Sequence, residues 1–588
     1  MANLFAATQM VLYIGAVMFA LFSPVYAIEF QYDEITGSFD TTLSAGVTWR
    51  VQDRDQNLIG VANGGNSYTI NSDDGNLNYD TGIVSKVFKA TSELELNYQN
   101  FSFFTRASYF YDFENEEGER PHVPLTDAAK ELVGSDLRLL DAYVHGTFEP
   151  GGKPLDVRLG NQVVSWGEST FIQNSINTIN PVDVSKLRIP GAELREALEP
   201  VPMLWSSLGI TDNVSLEAFY QLRWQETRID PPGSYFSTND YAGEGGDGVV
   251  LGFGAVPDST PVGAGARIPR SATREAGDSG QYGLALRWLV PELDYTEFGF
   301  YFINYHSRLP IISATTGTVE AAMAGDYAGS ARYFTEYPED IKLYGLSFNA
   351  DLGNTGVSIQ GEISYRQDVP LQVDDVELLF AALSSPASLG SKRSAILGAN
   401  NQVGDYSGQY STYVPGFQRV DVSQIQTTLA KIVGPTFGAD QLVLMGEVGL
   451  TYADLPDKSQ LRFNGAGTTT SANAVFTDIG IQPMTMPERF FPDKISWGYR
   501  LLARLSYDNV FQSVNLYPKI AFAHDVKGTS PSPGGNFIED RKALTFGLGA
   551  VYQHALSANL AYTRYFGAEM VNLVHDRDII SLDFKYSF

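Results

Sequence analysis

The residues best placed to select a small molecule are charged side chains concentrated between positions 165 and 203. Trp166-Gly167-Glu168 stands near the start of this stretch, and a Pro-Gly-Ala-Glu-Leu-Arg-Glu-Ala run begins at Pro190. Acidic and basic groups within one segment suit electrostatic selection of a solute in a narrow passage. The candidate constriction residues are Trp166, Glu168, Asp183, Arg188, Glu193, Arg195 and Glu196.

Catalytic chemistry has little support in the sequence. None of the 6 histidines has His-Glu-x-x-His spacing, and no Gly-x-Ser-x-Gly elbow is present. The chain contains 0 cysteines, which excludes a thiol nucleophile and a zinc–thiolate site. We therefore expect no catalytic residue, no metal and no cofactor. A membrane-embedded hydrolase would need a serine–histidine pair assembled from distant strands.

The elements that would position a constriction are membrane-spanning β-strands. At the end of the chain, Ile580, Leu582, Phe584, Tyr586 and Phe588 alternate with small or polar residues. A period of two gives one apolar and one polar face, and an ending on an aromatic residue is typical of outer-membrane barrels. Phe584, Tyr586 and Phe588 are therefore the predicted membrane-insertion signal, which the barrel-assembly machinery would recognise.

Similar alternation recurs along the chain and predicts an all-β fold, a transmembrane antiparallel β-barrel of about 18 strands with long external loops. Short turns such as Gln99-Asn100 and Thr211-Asp212-Asn213 alternate strictly with long polar connections such as residues 227–280. In such barrels the tight turns face the periplasm and the long loops face outward. The same parity predicts an even number of strands and places both termini in the periplasm.

Residues 1–27 have the features of a secretory signal peptide, with cleavage expected before Ile28. The apolar run from Met10 to Phe22 is shorter than the ~20 residues that a spanning helix needs. Residues 28–588 would then form the barrel, which we expect in the bacterial outer membrane.

The composition agrees with this interpretation. The 32 Tyr and 35 Phe suit interfacial girdles, and the formal net charge of −28 argues against a nucleic-acid partner. The expected surroundings are outer-membrane lipid and lipopolysaccharide. Charged residues on the polar faces of the predicted strands indicate a hydrated or plugged lumen rather than a packed core. The predicted lumen-facing charges are Glu93, Glu95, Arg106, Arg223, Arg500 and Arg504.

Three segments carry a resemblance to a known family. They are residues 71–80, 160–183 and 188–205, in which Trp166-Gly167-Glu168 and the run from Pro190 are the most specific motifs. Over nearly the whole mature chain, the sequence resembles the bacterial outer-membrane proteins catalogued as domain of unknown function 1302. The resemblance implies a large barrel, encoded near a periplasmic lipoprotein-carrier-like protein and an efflux-type inner-membrane pump, and traffic of hydrophobic molecules. It supplies no catalytic residues.

Three local features leave alternatives open. We predict that residues 165–203 fold inward and constrict or lid the lumen, whereas Trp166 and Glu168 could instead only anchor the loop to the wall. Residues 374–383 have the pattern of an amphipathic helix, which would form either a greasy entry for substrate or the small core of its own loop. The acidic segment 71–80 favours a self-hydrogen-bonded turn over a calcium site.

The sequence as a whole predicts an outer-membrane channel or transporter-like barrel that passes small or hydrophobic molecules, within a trans-envelope pathway. The alternative is a non-conducting scaffold or docking barrel for an envelope complex. A lumen sealed by side chains and loops would favour the scaffold, and an open route would favour transport.

Overall fold

An antiparallel sheet that closes on itself forms most of the structure, a computed structural model that describes residues 28–261, 265–553 and 555–588. The predicted signal peptide, residues 1–27, lies outside the described residues. The strands in chain order are β1 (Ile28–Tyr32), β2 (Ile35–Arg50), β3 (Gly82–Tyr98), β4 (Phe101–Asp112), β5 (Ser135–Phe148), β6 (Leu155–Gln162), β7 (Val201–Thr211), β8 (Val214–Gln221), β9 (Gly248–Val250), β10 (Arg267–Pro269), β11 (Tyr282–Val290), β12 (Thr296–Tyr305), β13 (Ile311–Thr315), β14 (Arg332–Glu336), β15 (Ile341–Asp351), β16 (Val357–Gln372), β17 (Tyr413–Val414), β18 (Phe417–Val433), β19 (Gln441–Ala453), β20 (Ile495–Phe511), β21 (Val514–Lys527), β22 (Lys542–Tyr552), β23 (Leu556–Phe566) and β24 (Ile579–Ser587).

Eighteen of these strands, within the described ranges, form a closed wall in which each pairs with its neighbours in the chain. The wall closes where β24 pairs with β2, from Ile579 opposite Arg50 to Ser587 opposite Thr42. This architecture confirms the predicted fold class. The other strands, β9, β10, β13, β14 and β17, form two small sheets in the long loops.

The N-terminal strand β1 was not predicted. It folds back on β2 as a hairpin, with Ile28 opposite Phe39 and Tyr32 opposite Ile35. On the same edge of β2, the backbone of Phe588 exchanges hydrogen bonds of 2.7 and 3.0 Å with Thr41. β1 therefore continues the line of β24 along β2, and the wall is extended at the end where the short turns lie.

The connections alternate in length as predicted. Those at one end of the barrel are tight, such as residues 99–100 and 512–513, and those at the other end include residues 222–281 and 373–416. The α-helices lie in the long connections: α1 (Asp74–Leu77), α2 (Phe113–Glu117), α3 (Asp127–Val133), α4 (Leu194–Ala197), α5 (Val319–Ala324), α6 (Tyr327–Ser330), α7 (Asp375–Ala382), α8 (Pro386–Leu389), α9 (Ser391–Asn400) and α10 (Ala474–Asp478). No helix in the described ranges is long and apolar enough to cross a membrane.

Short 3-10 turns complete the connections. They are Gln56–Leu58, Val61–Asn63, Pro150–Gly152, Val184–Arg188, Pro291–Leu293, Gly353–Thr355, Glu488–Phe490 and Glu569–Val571.

The outer face of the wall carries two aromatic bands with aliphatic side chains between them, the pattern of a barrel in a lipid bilayer. The band near the long loops contains the exposed residues Tyr109, Tyr220, Tyr282, Tyr344, Tyr365 and Tyr452. The band near the short turns contains Tyr98, Phe101, Phe148, Trp288, Tyr295 and Phe511. Exposed aliphatic residues between the bands include Leu284, Leu346, Ile425, Val448, Leu501, Leu548 and Leu560. Phe584 and Tyr586 lie on this outer face of β24, and their role as an insertion signal stays a prediction.

Candidate functional site

The connection between β6 and β7, residues 163–200, lies inside the barrel, and we call it the lumen loop. Its first arm, residues 165–176, follows the inner faces of β8, β16 and β19. Glu447 of the wall accepts hydrogen bonds from three successive backbone N–H groups, residues 170–172, at 2.6–3.0 Å. Glu362 accepts from two further N–H groups of the same arm, one of them at 3.2 Å. Because bonds to a carboxylate are stronger than neutral ones, these two wall residues fix the arm in place.

Apolar side chains of the lumen loop rest on glycines of the inner wall. A Cβ at each of these glycines would lie 2.8–2.9 Å from a side-chain atom of the loop, which is closer than atoms pack. A larger wall residue would therefore push the loop away. The pairs are Trp166 on Gly283, Ile172 on Gly449, Ile176 on Gly345 and Pro190 on Gly46.

Trp166 and Glu168 hold the first arm to the wall. Trp166 is 1% exposed, and its Nε1 donates a hydrogen bond of 2.8 Å to Glu217 Oε2. The Glu168 carboxylate accepts from Asn349 Nδ2 at 3.1 Å, and burial raises its pKa although the charge of Arg287 opposes the rise. These contacts match the anchoring alternative for Trp166, whose ring does not border open space.

The second arm of the lumen loop, residues 189–198, lies against β2, β3 and β24 and carries a chain of ion pairs. Lys585 Nζ is 2.8 Å from Glu193 Oε1, and Arg195 Nε is 2.8 Å from Glu193 Oε2. Arg195 also pairs with Glu93 of the wall at 2.8 Å. The Glu193 and Arg195 side chains are 37% and 49% exposed, so they border the open part of the lumen. Glu196, nearby, is paired with Lys89.

Asp183 and Arg188 lie between the two arms. Asp183 is fully buried and accepts from Arg138 at 3.3 Å, and Arg188 pairs with Asp230 at 3.3 Å. Pro190 does not begin a helix, although proline is common at the first position of one. The segment instead has a 3-10 turn over Val184–Arg188 and the single turn α4. The capping box of α4 joins Glu193 to the side chain of its third residue, Glu196. Pro190 lies outside the helix and packs on Gly46 of the wall.

The predicted lumen-facing charges lie on the inner face with one exception. Arg106 is buried against Asp141, and Arg500 pairs with Asp525 at 2.7 Å. Glu93, Glu95 and Arg504 occupy inner positions of β3 and β20. Arg223 does not belong to the wall, because β8 ends at Gln221 and Arg223 is exposed in the following loop.

A second loop also folds into the barrel, which the sequence did not reveal. In the connection 528–541, the ring of Phe537 is fully buried over Gly449 and Gly498, a pair of glycines directly opposite each other on β19 and β20. Asn536 Nδ2 donates a hydrogen bond of 2.8 Å to the backbone carbonyl oxygen of Gln173 in the lumen loop. The two loops therefore support each other above the glycine pair.

The external loops enclose a cavity of about 800 Å³, which we call the vestibule. One side is apolar and includes Val376, Leu379 and Phe380 of α7 and Leu397 of α9. The floor includes Gly534, whose carbonyl accepts a hydrogen bond from Asn174 of the lumen loop. The vestibule therefore stands directly above the two inward loops. The sequence predicted an amphipathic helix over residues 374–383. The structure has α7 there, which begins directly after its N-cap residue Asp374.

The acidic segment 71–80 meets a histidine from another loop. His122 Nε2 is 3.3 Å from Asp74 and 3.0 Å from Asp258, and these groups together with Asp73 lie within 4.8 Å of one another. The hydrogen bonds to Asp258 and Asp74 raise the pKa of His122 to about 10. A protonated imidazole therefore supplies positive charge among these carboxylates. Asp74–Leu77 forms one helical turn without a side-chain cap, so the predicted self-hydrogen-bonded turn is not formed. The side chains of the segment bond to other loops instead, since Asp73 accepts from the backbone N–H of Gly60 at 2.8 Å and Asn78 from that of Val123 at 3.0 Å.

Sequence reasoning missed the wall residues that hold the lumen loop. Glu447, Lys585 and Lys89 all occupy inner positions, which the two-residue period of β19, β24 and β3 would have identified. The period gives the face of a residue and not its partner.

Comparison with known proteins gives the following likenesses. Over 94% of this chain, the structure is similar to OccAB3 of Acinetobacter baumannii (99% of that chain, 10% identity, TM-score 0.42). The same share of the chain is similar to OccAB1 of Acinetobacter baumannii (96% of that chain, 11% identity, TM-score 0.40). It is also similar to OccK1 of Pseudomonas aeruginosa (98% of that chain, 8% identity, TM-score 0.40). No curated protein sequence matches the chain. The family model described as "Protein of unknown function (DUF1302)" matches residues 9–588, and the chain belongs to this family.

Proposed function

We propose that this barrel is an outer-membrane passage for small, largely hydrophobic molecules. The observation that carries the proposal is the half-apolar vestibule, which stands above a lumen that the inward loops only partly cover. A cavity of this size, with an apolar lining and a few polar groups, is typical of sites that bind small molecules. Selection would come from the vestibule and the constriction, without any chemical step.

The uncovered part of the lumen is the inner face of β21, β22 and β23 away from Asp525. At Asp525 the second inward loop binds β21, because the backbone N–H of Ile538 donates to Asp525 Oδ2 at 3.1 Å. Among the hydrogen bonds and ion pairs of the described residues, none joins the lumen loop to these three strands. Their inward side chains include the small residues Ala521, Gly547, Ala561 and Thr563, which leave room next to the wall. We place the route along these strands, between the wall and the exposed Glu193–Arg195 pair.

In this proposal the long loops face the exterior, and both termini lie at the periplasmic end with the short turns. The periplasmic lipoprotein-carrier-like protein and the efflux-type inner-membrane pump remain proposed partners, to which the passage would connect at that end.

The test is single-channel conductance in planar bilayers, with the wild type compared with a variant that lacks residues 169–200. A steady wild-type current that rises on deletion would support a pore constricted by the lumen loop. In parallel, proteoliposomes would be tested for transfer of an apolar dye across the bilayer. Protein that is folded but passes neither ions nor dye, with or without the deletion, would refute the passage and favour the scaffold.

A further inference from the structure

Two charged pairs of the inner wall join opposite charges on neighbouring strands. Glu93 of β3 lies directly opposite Arg106 of β4, and Glu447 of β19 lies directly opposite Arg500 of β20. Opposite charges in this relation stabilise a sheet, and like charges directly opposite destabilise it.

Arg504 and Lys519 depart from this arrangement. They lie directly opposite each other on β20 and β21, and both side chains are exposed. Neither forms an ion pair among the residues that the structure describes. In contrast, Arg500, which lies four residues away on the same face of β20, pairs with Asp525 at 2.7 Å. Two positive charges therefore stand side by side in the lumen with no carboxylate at ion-pair distance, although Lys519 acts on the buried Asp583 of β24 at longer range.

The surroundings direct both charged groups into the uncovered part of the lumen. The Lys519 side chain runs along Gly547, where a Cβ would come within 2.6 Å of its Cε. The Arg504 guanidinium lies 5.7 Å from the centre of the Tyr517 ring. Packing therefore positions the stems on the wall, while the ammonium and guanidinium groups remain available to a solute.

We propose that Arg504 and Lys519 form an anion-binding site, and that this site makes the passage selective for molecules with a carboxylate or phosphate group. The inference rests on the proposed passage and adds the charge of its substrates. We expect anion selectivity in spite of the formal net charge of the chain, which is −28. Charges that line a narrow lumen act on a solute more strongly than distant loop carboxylates. A bound anion would offset the repulsion between the two cations.

The test is the reversal potential of the pore under a KCl gradient in a planar bilayer. We expect the wild type to pass Cl⁻ better than K⁺, and Arg504→Gln/Lys519→Gln to lower the permeability ratio by about fivefold. The matched control is Arg564→Gln/Lys431→Gln. It removes two positive charges from exposed positions on the outer face. Arg564 lies on the same face of its strand as the exposed Leu560, and Lys431 on the same face as the exposed Leu429. The control should leave the ratio unchanged.

Two results would overturn the inference while leaving the passage intact. One is a cation-selective wild-type pore, and the other is a ratio that the Arg504/Lys519 variant leaves unchanged. If the wild type is silent, the same measurement is made on the variant without residues 169–200.

A second measurement addresses the site without any current. Lys519 is modified with an amine-reactive reagent in detergent-solubilised protein, with and without inorganic phosphate, and Lys431 serves as the internal reference. Slower modification of Lys519 alone in phosphate would support the site, even if the proposed passage failed. Equal protection of both lysines would refute it. Repeating the measurement with benzoate tells whether a carboxylate on an organic molecule is bound in the same way as the free anion.

Discussion

Lys585, on the strand that closes the barrel, lies with its ammonium 2.8 Å from Glu193 Oε1 in the lumen loop. The neighbouring Arg195 holds the other carboxylate oxygen at 2.8 Å. The seam between β24 and β2 is thus tied to the loop that would restrict the lumen. Since Glu193 and Arg195 are partly exposed, this ion pair is the point where the second arm can most easily detach.

Replacing Lys585 with Met should loosen the second arm without unfolding the wall. The change removes one charge that holds Glu193 and leaves the backbone pairing of β24 intact. We expect more frequent current fluctuations in single-channel records, with the heat-modifiable mobility of the folded barrel unchanged. Lys431→Met, an exposed lysine on the outer face, is the control. Equal noise in both variants would contradict the assignment.

Acidification should release the same contact. Burial opposes ionisation of Glu193, but the hydrogen bonds and charges of Lys585 and Arg195 outweigh it and lower its pKa to about 2. A lowered carboxyl pKa contributes stability above the unfolded value of about 4.3, and this contribution is lost as the pH falls from there toward 2. Current fluctuations should therefore increase between about pH 4 and 2 in the wild type. Glu193→Gln should fluctuate at all pH values and show no such transition.

Replacing Gly449 with a larger residue should displace the first arm of the lumen loop. A Cβ at this position would lie 2.8 Å from Ile172 Cδ1 and 3.6 Å from the ring of Phe537, so Gly449→Val must move both inward loops. We expect the barrel to fold and the conductance to change by about twofold or more. Gly446→Val is the matched control, because its Cβ would point to the outer face, 3.2 Å from Leu501 Cδ2 and 4.0 Å from the Arg500 carbonyl oxygen. A normal conductance with Gly449→Val would mean that this contact does not shape the route.

The strands could be predicted from the sequence because their signals are local. The period of two and the Gly, Asn and Asp turns fix each hairpin from about 25 neighbouring residues. The contacts of the lumen loop are not local. Glu447 is separated from Ile172 by 275 residues, and Lys585 from Glu193 by 392. No periodicity specifies such pairs, and Gly449 in a strand has the same signature whether it forms a bulge or receives a side chain.

His122 should remain charged well above neutral pH and hold the external loops together. Its hydrogen bonds to Asp258 and Asp74 raise its pKa to about 10. A raised histidine pKa contributes stability fully below the unfolded value of about 6.5, and the contribution is lost as the pH rises toward 10. NMR titration of the imidazole, assigned with His122→Gln, should give a midpoint near 10. Protease sensitivity of the loops should increase over the same range in the wild type, and the variant should be sensitive already at pH 7.

The apolar side of the vestibule should bind the transported molecule, and Leu379 is the residue to change. Leu379 lines the cavity from α7 and is half-buried, at the edge of the apolar core that contains Leu378. A carboxylate in this lining offers a hydrophobic ligand no apolar contact. It would also lose its solvation when the ligand covers it. We expect Leu379→Asp to weaken binding of an apolar fluorescent probe by about tenfold. Met323→Asp, on the surface of α5 and 84% exposed in the native chain, adds the same charge away from the vestibule and should bind the probe normally. Equal binding by both variants would move the hydrophobic site out of the vestibule, and weaker binding by both would show that the added charge alone repels the probe.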